Sequence, residues 1–149
     1  MLLLLLLTAC SSSGLIDKQA IEGGPGQDIG VALGNFNSRA AAPYDATTED
    51  AYTIDIEVSN NSDGDVTVTR IAISPGESGA YSISSTSQKF DETIAEGEDH
   101  LFTLSLRGRQ TRRLAPNEGA DVTVRVVVTL SNGDSYFYSF AVPVRIGRS

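Results

Sequence analysis

The feature that most constrains the fold of this chain is a strict alternation of apolar and polar side chains near its C-terminus. Apolar residues stand at every second position of one segment: Val122, Val124, Val126, Val128 and Leu130. The next segment repeats the pattern at Tyr136, Tyr138, Phe140, Val142, Val144 and Ile146. Because successive side chains of a β-strand point to opposite faces, both segments are predicted to be strands with one buried face. The 3.6-residue period of a helix does not fit them.

Four residues in and between these segments add local detail. Asn132-Gly133 favours a two-residue type I′ hairpin turn, whose two central residues both need positive φ. Val127 is apolar on the polar side of its strand, which indicates a strand middle buried on both faces. Pro143 has no backbone N–H, so we expect it at a sheet edge or a bulge.

Earlier segments show the same two-residue period. One predicted strand has its apolar side at Tyr52, Ile54, Ile56 and Val58, before a turn rich in Asn, Asp and Gly over residues 60 to 65. Val66 and Val68 begin its partner, and Ile71 and Ile73 continue on the opposite parity, which predicts a bulge near Thr69 and Arg70. Shorter alternations predict further strands at Ile29 to Phe36, Tyr81 to Ile83 and Phe102 to Leu106.

The pattern therefore predicts an all-β domain of about seven or eight strands over residues 29–149, with its core at about 44–146. The polar segment from Ser84 to Glu98 is expected to contribute Phe90 and Ile94 to the core. Antiparallel hairpins in this number favour two sheets packed face to face. From about Tyr44 to Ile146, and particularly from Ile54 to Val68, the chain resembles the immunoglobulin-like sandwiches of bacterial envelope proteins, although it has no Trp and no pair of cysteines.

The N-terminus carries a short apolar segment. Six leucines, Leu2 to Leu7, follow Met1, and the last of them begins the run Leu7-Thr8-Ala9-Cys10. Nine helical residues extend only about 13 Å, against about 30 Å for the hydrocarbon core of a bilayer, so residues 1–9 are predicted to be a signal peptide. A hydrophobic terminal helix or strand, with Cys10 as a buried thiol, is the alternative.

Leu7-Thr8-Ala9-Cys10 resembles the lipobox of bacterial lipoproteins. The resemblance implies that Cys10 carries a diacylglycerol thioether, becomes the mature N-terminus and attaches the protein to a membrane. Residues 10–28, rich in Ser and Gly, are then a flexible linker. Ser11 directly after the cysteine implies, by that family's sorting rule, the outer membrane, with the domain facing the periplasm or the cell surface.

Composition excludes several classes of function. With one Cys and one His, the chain has neither a disulfide framework nor the usual ligands of a protein zinc site. His100 is expected in a solvated loop, so no nucleophile, base and metal set supports an enzyme, and no cofactor is implied. The net charge of −8 disfavours nucleic acid as a partner.

One basic cluster interrupts the acidic chain: Arg107, Arg109, Arg112 and Arg113. We expect these arginines in a loop after a strand that ends at Leu106. Guanidinium groups bind phosphate and carboxylate bidentately, so this loop, together with an unpaired sheet edge, is the predicted site for an envelope partner. A solvated loop that only balances the acidic half of the domain is the other interpretation.

The sequence thus predicts a membrane-anchored, non-enzymatic protein-interaction or structural module. The alternative is a glycan- or calcium-binding sandwich that uses acidic turns. Oxygen ligands for calcium occur in two such turns: Asn60, Asn61, Asp63 and Asp65 in the first, and Glu96, Glu98 and Asp99 in the second. Neither spacing matches an EF-hand, so no metal site is assigned.

Overall fold

Alternating side chains form strands throughout the part of the chain that the structure describes. This computed structural model describes residues 28–34, 36–38, 49–76, 81–112 and 121–146. Within these ranges there are nine strands and no helix: β1 Ile29–Leu33, β2 Phe36–Ser38, β3 Asp50–Asn60, β4 Val66–Pro75, β5 Tyr81–Ile83, β6 Thr86–Ile94, β7 Asp99–Gln110, β8 Asp121–Leu130 and β9 Ser135–Ile146. The predicted all-β class is confirmed. The expected signal peptide, Cys10 and the linker up to residue 27 lie outside the described residues.

The strands form two sheets that pack as a sandwich. Sheet A contains β5, β7 and β3, with β1 and β2 lying end to end along the other side of β3. Sheet B has the order β9-β8-β4-β6. Because β1 and β2 share one place beside β3, the nine segments occupy eight strand positions.

The two sheets are joined along one side and separate along the other. β9 pairs antiparallel with β8 and then pairs parallel with β2, from Phe36↔Val144 to Ser38↔Ile146. This is the one parallel ladder among the described strands, and it makes the strand order continuous from β5 to β6. Pro143 lies at the last position of the β8 ladder, just before β9 passes to β2. On the opposite side of the sandwich the sheets are not joined by any described strand, and β6 of sheet B lies next to β7 of sheet A.

The core lies between the sheets and contains the apolar side chains of the alternating segments. All apolar positions expected for β3 and β8 are buried, as are Tyr136, Tyr138, Phe140 and Val142 of β9. Ile94 is buried and Phe90 is half-buried against the core, so both predicted contributions from the polar segment are confirmed. Val127 is half-buried instead of buried on both faces.

Two local predictions have different outcomes. The register of β4 against both β6 and β8 shifts between Val68 and Arg70, which confirms the predicted bulge. The predicted two-residue turn between β8 and β9 is wrong, because the N–H of Leu130 donates to the carbonyl of Asp134 at 2.9 Å and encloses three residues. Gly133, with φ of 92°, takes the left-handed position that closes a three-residue hairpin loop.

Two strand boundaries also differ from the prediction. Residues 86–94 form the strand β6, although most of its side chains are exposed or half-exposed and no alternation marks it. β7 continues past Leu106 to Gln110. The predicted strand ended too early because Gly108 occupies the next buried position and has no apolar side chain to mark it. Backbone pairing of β6 with β4, and of the end of β7 with β3 and β5, defines these strand boundaries.

Candidate interaction surface

The predicted arginine cluster lies mainly on a strand and not in a loop. β7 extends to Gln110, so Arg107 and Arg109 are strand residues, and both are exposed on the outer face of sheet A. Arg112 follows in an exposed bend, whereas Arg113 lies outside the described residues. Side chains two apart on a strand point to the same face, about 6.5 to 7 Å apart along it. The structure thus places Arg107 and Arg109 on one face of β7 and corrects the element that carries them.

A glycine positions this basic segment against the rest of the sheet. A Cβ atom at Gly108 would lie 2.8 Å from the carbonyl oxygen of Ser82 and 3.1 Å from the ring of Tyr52. Those distances are too short for any other residue without movement of the backbone. Gly108 therefore lets β5 pair closely with the end of β7, and this pairing fixes the direction in which the flanking arginines point.

Arg107 makes a long ion pair that leaves its guanidinium in solvent. Its Nη1 atom lies 4.0 Å from Oε2 of Glu49, and the two side chains are 76% and 48% exposed. An exposed pair at this distance contributes little to stability, because water and salt screen it. Arg107 can therefore exchange Glu49 for a carboxylate or phosphate on a partner.

The opposite end of the sandwich is acidic. Three turns and the start of β1 meet there, held by backbone hydrogen bonds between Asn61 and Asp28, Asn60 and Glu98, and Ser131 and Thr67. These segments carry the carboxylates of Asp28, Asp63, Asp65, Glu96, Glu98, Asp99 and Asp134. In the described part of the domain these turns therefore carry carboxylates and no Lys or Arg, whereas the other end of the strands carries Arg107, Arg109 and Arg112 together with the acidic residues Glu49, Asp50 and Asp121.

Asn60 connects the turns of the acidic end and is fully buried. Its Nδ2 atom donates to the carbonyls of Gly64 at 2.8 Å and of Ile94 at 3.0 Å. Its Oδ1 atom accepts from the backbone N–H of Ser62 at 3.0 Å and from the Ser62 hydroxyl at 2.6 Å. The sequence predicted Asn60 as a turn residue. Its hydrogen bonds show that it also links the turn after β3 to the end of β6.

The two acidic turns considered for calcium do lie side by side. The backbone N–H of Glu96 in one turn donates to Oδ1 of Asp65 in the other, at 3.3 Å. The side-chain oxygen of Asn60 is already used by Ser62. The described residues contain no group of three or more His, Cys, Asp or Glu side chains placed to hold a metal ion.

His100 is part of β7 and not of a loop, because the strand begins one residue earlier at Asp99. Its ring packs against Phe102 with centroids 4.7 Å apart, and its Nδ1 lies 3.5 Å from a carboxylate oxygen of Glu92 on β6. Phe90 of β6 meets Phe102 edge to face at 4.8 Å. These contacts fill the gap between the bordering strands β6 and β7. Gly76, the first residue of a Gly-Glu-Ser-Gly run whose other members lie outside the described residues, stands at the opposite end of the strands.

Tyr138 ties the last strand to the first and has no sequence signal beyond its buried parity. Its hydroxyl donates to the backbone carbonyl of Ile29. Burial, with a smaller effect from neighbouring Tyr136, raises the pKa of Tyr138 to about 12. Burial also raises the pKa of Tyr136, with smaller effects from the charges of Asp134 and Asp28. Both rings anchor β9 where β1 begins.

Comparisons with known proteins identify no family for this chain. No family model matches it, and no curated protein matches it. Among solved structures, it is similar to the Northeast Structural Genomics Consortium target SoR45, with 9% identity, 81% of this chain and 84% of the other covered, and a TM-score of 0.44. It is also similar to a Bordetella pertussis protein assigned as ApaA, with 14% identity, coverages of 79% and 89%, and a TM-score of 0.37.

Proposed function

We propose that this chain is a bacterial envelope lipoprotein whose immunoglobulin-like sandwich is a non-enzymatic protein-interaction or structural module. The anchor would be an acylated Cys10, supported by the Leu7-Thr8-Ala9-Cys10 sequence. Ser11 supports an outer-membrane location, with the module facing the periplasm or the surface. Several acyl chains, at about 0.8 kcal/mol for each buried CH₂, make such an anchor close to permanent.

The strand arrangement supports the immunoglobulin-like subtype. In those domains one sheet has the order A-B-E-D and the other contains C, F and G. Here β1 and β2, β3, β7 and β5 take the first four places, and β4, β8 and β9 take the other three. β6 lies beside β4, where variable-type domains add a strand, but it follows β5 in the chain.

The observation that carries the proposed interaction role is the position of the exposed arginines, which lie at the end of the strands opposite the acidic turns. The linker joins the domain at Asp28, within the acidic end. From Asp99 to Arg109, β7 extends about 33 Å, so the arginines lie a full strand length from the linker. A protein tethered through residue 28 would hold its basic end away from the bilayer, where an acidic partner can reach it.

The anchor is tested by mass spectrometry of the mature N-terminal peptide and by detergent phase partitioning. We expect an acylated N-terminal Cys10 in the wild-type chain and loss of detergent partitioning in Cys10→Ala. Ser12→Ala is the matched control, since it changes the linker and leaves the lipobox and Ser11 intact. A bare, uncleaved N-terminal peptide would contradict the lipoprotein assignment.

The interaction surface is tested by cross-linking in intact envelopes, followed by identification of the captured protein. The variant replaces the whole basic cluster with alanine: Arg107, Arg109, Arg112 and Arg113. A matched control replaces Arg70 and Arg125, two exposed arginines on the outer face of sheet B. We expect capture to be lost in the first variant and kept in the second. Equal capture by both would remove the basic end from the proposal.

A further inference from the structure

One edge of β7 is unpaired along most of its length. β3 covers one side of β7 from Asp99 to Gly108. On the other side, β5 covers only Gly108 to Gln110, and the N–H of Ser84 donates to the carbonyl of Arg107 at 2.8 Å. Among the described residues, no strand pairs with this side of β7 between Asp99 and Ser105. An unpaired ladder of this length is a template for another strand.

The direction of the Arg107 carbonyl fixes which backbone groups face the unpaired edge. Groups that point to one side of a strand belong to every second residue, so the N–H and C=O groups of Leu101, Thr103 and Ser105 share this side. Their side chains are exposed on the outer face of sheet A, and Leu101 is 53% exposed. The edge therefore combines available hydrogen-bonding groups with an exposed apolar side chain.

The neighbouring border strand, β6, has features that discourage pairing. Its ladder with β4 is interrupted by the bulge, and exposed Lys89 and Asp91 lie beside the irregularity. Charged side chains and bulges are the usual protection of sheet edges against another chain. β7 has neither a bulge in its ladder with β3 nor a proline, and from Leu101 to Leu106 it carries no charge.

We propose that β7 pairs antiparallel with β7 of a second copy of this chain, around a two-fold axis at Thr103. Thr103 is the central one of the three residues, Leu101, Thr103 and Ser105, whose backbone groups face the unpaired edge. In this register Leu101 lies opposite Ser105 of the second copy, and Asp99 lies opposite Arg107 of the second copy. The pairing says what covers the edge, which the proposed function leaves open, and it does not depend on lipidation of Cys10.

Charge complementarity selects this register. Because the two-fold axis repeats each contact, the pairing creates two Asp99–Arg107 ion pairs on the outer face. The carbonyl of Arg107 already accepts from the N–H of Ser84, so the new backbone ladder runs from Leu101 to Ser105, and Asp99 and Arg107 meet through their side chains at its two ends. Moving the axis toward Asp99 by one residue sets Asp99 opposite Ser105 and leaves Arg107 without an opposite residue in β7 of the second copy. Moving the axis the other way sets Asp99 opposite Arg109, which lies deeper under β5 at Ser82. The weak 4.0 Å contact with Glu49 does not hold Arg107 back from Asp99 of the second copy.

Single cysteines test the register in the full chain carrying Cys10→Ser, which removes its one native thiol. Opposed residues in such a hydrogen-bonded pair have Cα atoms about 5.5 Å apart, within the range of a disulfide. We expect Thr103→Cys to form a disulfide-linked dimer under mild oxidation in detergent. Ser105→Cys alone and Leu101→Cys alone should not form it, whereas a chain carrying both should. Equal cross-linking of Thr103→Cys and Ser105→Cys would overturn the register.

Charge reversal tests the association in the same background by sedimentation velocity. Asp99→Arg or Arg107→Asp alone should raise the dimer Kd about ten-fold, since each exposed ion pair contributes about two- to five-fold and two pairs are lost. The double reversal should restore the wild-type Kd. Melting curves show whether each variant is folded. If the Cys10→Ser chain and all of its charge variants stay monomeric, the dimer is refuted. That result would not affect the anchor proposal, because these chains lack Cys10.

Discussion

Asn60 is predicted to be the most important polar side chain for stability at the acidic end. Asn60→Ala removes four hydrogen bonds, so the carbonyl of Ile94 and the N–H of Ser62 lose this partner, while the carbonyl of Gly64 keeps a 3.4 Å contact from the Ser62 hydroxyl. A hydrogen bond contributes about 1 kcal/mol net, and a buried group left unpaired costs about 1 to 3 kcal/mol. The bond to Ile94 is buried, whereas water reaches the Ser62 side. We therefore expect a loss of about 3 kcal/mol in the free energy of unfolding.

Urea unfolding followed by circular dichroism measures this loss. Ser62→Ala is the matched control, because it removes one hydroxyl and keeps the two bonds that Asn60 donates, so it should cost about 1 kcal/mol. Asn61→Ala changes the exposed neighbour and should cost less still. If Asn60→Ala destabilised no more than Ser62→Ala, the amide would not be the link between the turns, and the reasoning from its four contacts would be wrong.

Three further predictions concern other parts of the domain. Because burial raises the pKa of Tyr138 above the unfolded value of 10.0 to about 12, its stabilisation is complete below pH 10.0 and is lost as the pH rises through about 12. Thermal melts across this range should show a shallower decline for Tyr138→Phe than for the wild type; parallel declines would contradict this. Gly108→Ala should cost about 1 to 3 kcal/mol in urea unfolding, because its Cβ meets the Ser82 backbone, whereas Ser105→Ala on the exposed face should be nearly neutral. Sodium chloride should raise the melting temperature by screening the acidic end, and calcium at equal ionic strength should add nothing; a specific calcium shift would instead favour the calcium-binding alternative.

The buried face of each strong strand could be predicted from the sequence because burial follows the two-residue period directly. Ile54 and Val126 each stand in an unbroken alternating run, and both are fully buried. The bulge near Arg70 was also predictable, since the apolar positions change parity there. Such patterns report which face of a strand meets the core, and this information is local in the chain.

Other features were not predictable because the sequence pattern does not carry them. β6 is the edge strand of its sheet and most of its side chains are exposed to solvent, so no alternation marks it. Gly108 hides the end of β7 because it fills a buried position without a side chain. The parallel ladder between β2 and β9 joins segments more than a hundred residues apart. These elements depend on contacts between distant parts of the chain.

The candidate site was predictable in composition but not in placement. The spacing of the arginines identified a basic cluster, yet the alternation alone put Arg107 in a loop. The burial of Asn60 had no signal, since asparagine in a run of Asn, Ser, Asp and Gly is typical of an exposed turn. The unpaired edge of β7 could not be predicted, because the sequence does not show that β5 pairs with only the last few residues of β7.

The position of β1 has a mechanical consequence. Its pairs with β3 run from Ile29↔Asn60 to Leu33↔Ile56, so residue 28 lies just before the strand, at the acidic end of the domain. A pull on residue 28, resisted at the arginine end, acts along the strands and loads all of these hydrogen bonds together. A ladder resists a shearing force, which loads all of its hydrogen bonds at once, better than a force that opens the pairs one after another. A domain held at one end and gripped at the other would therefore keep its first strand in place under tension.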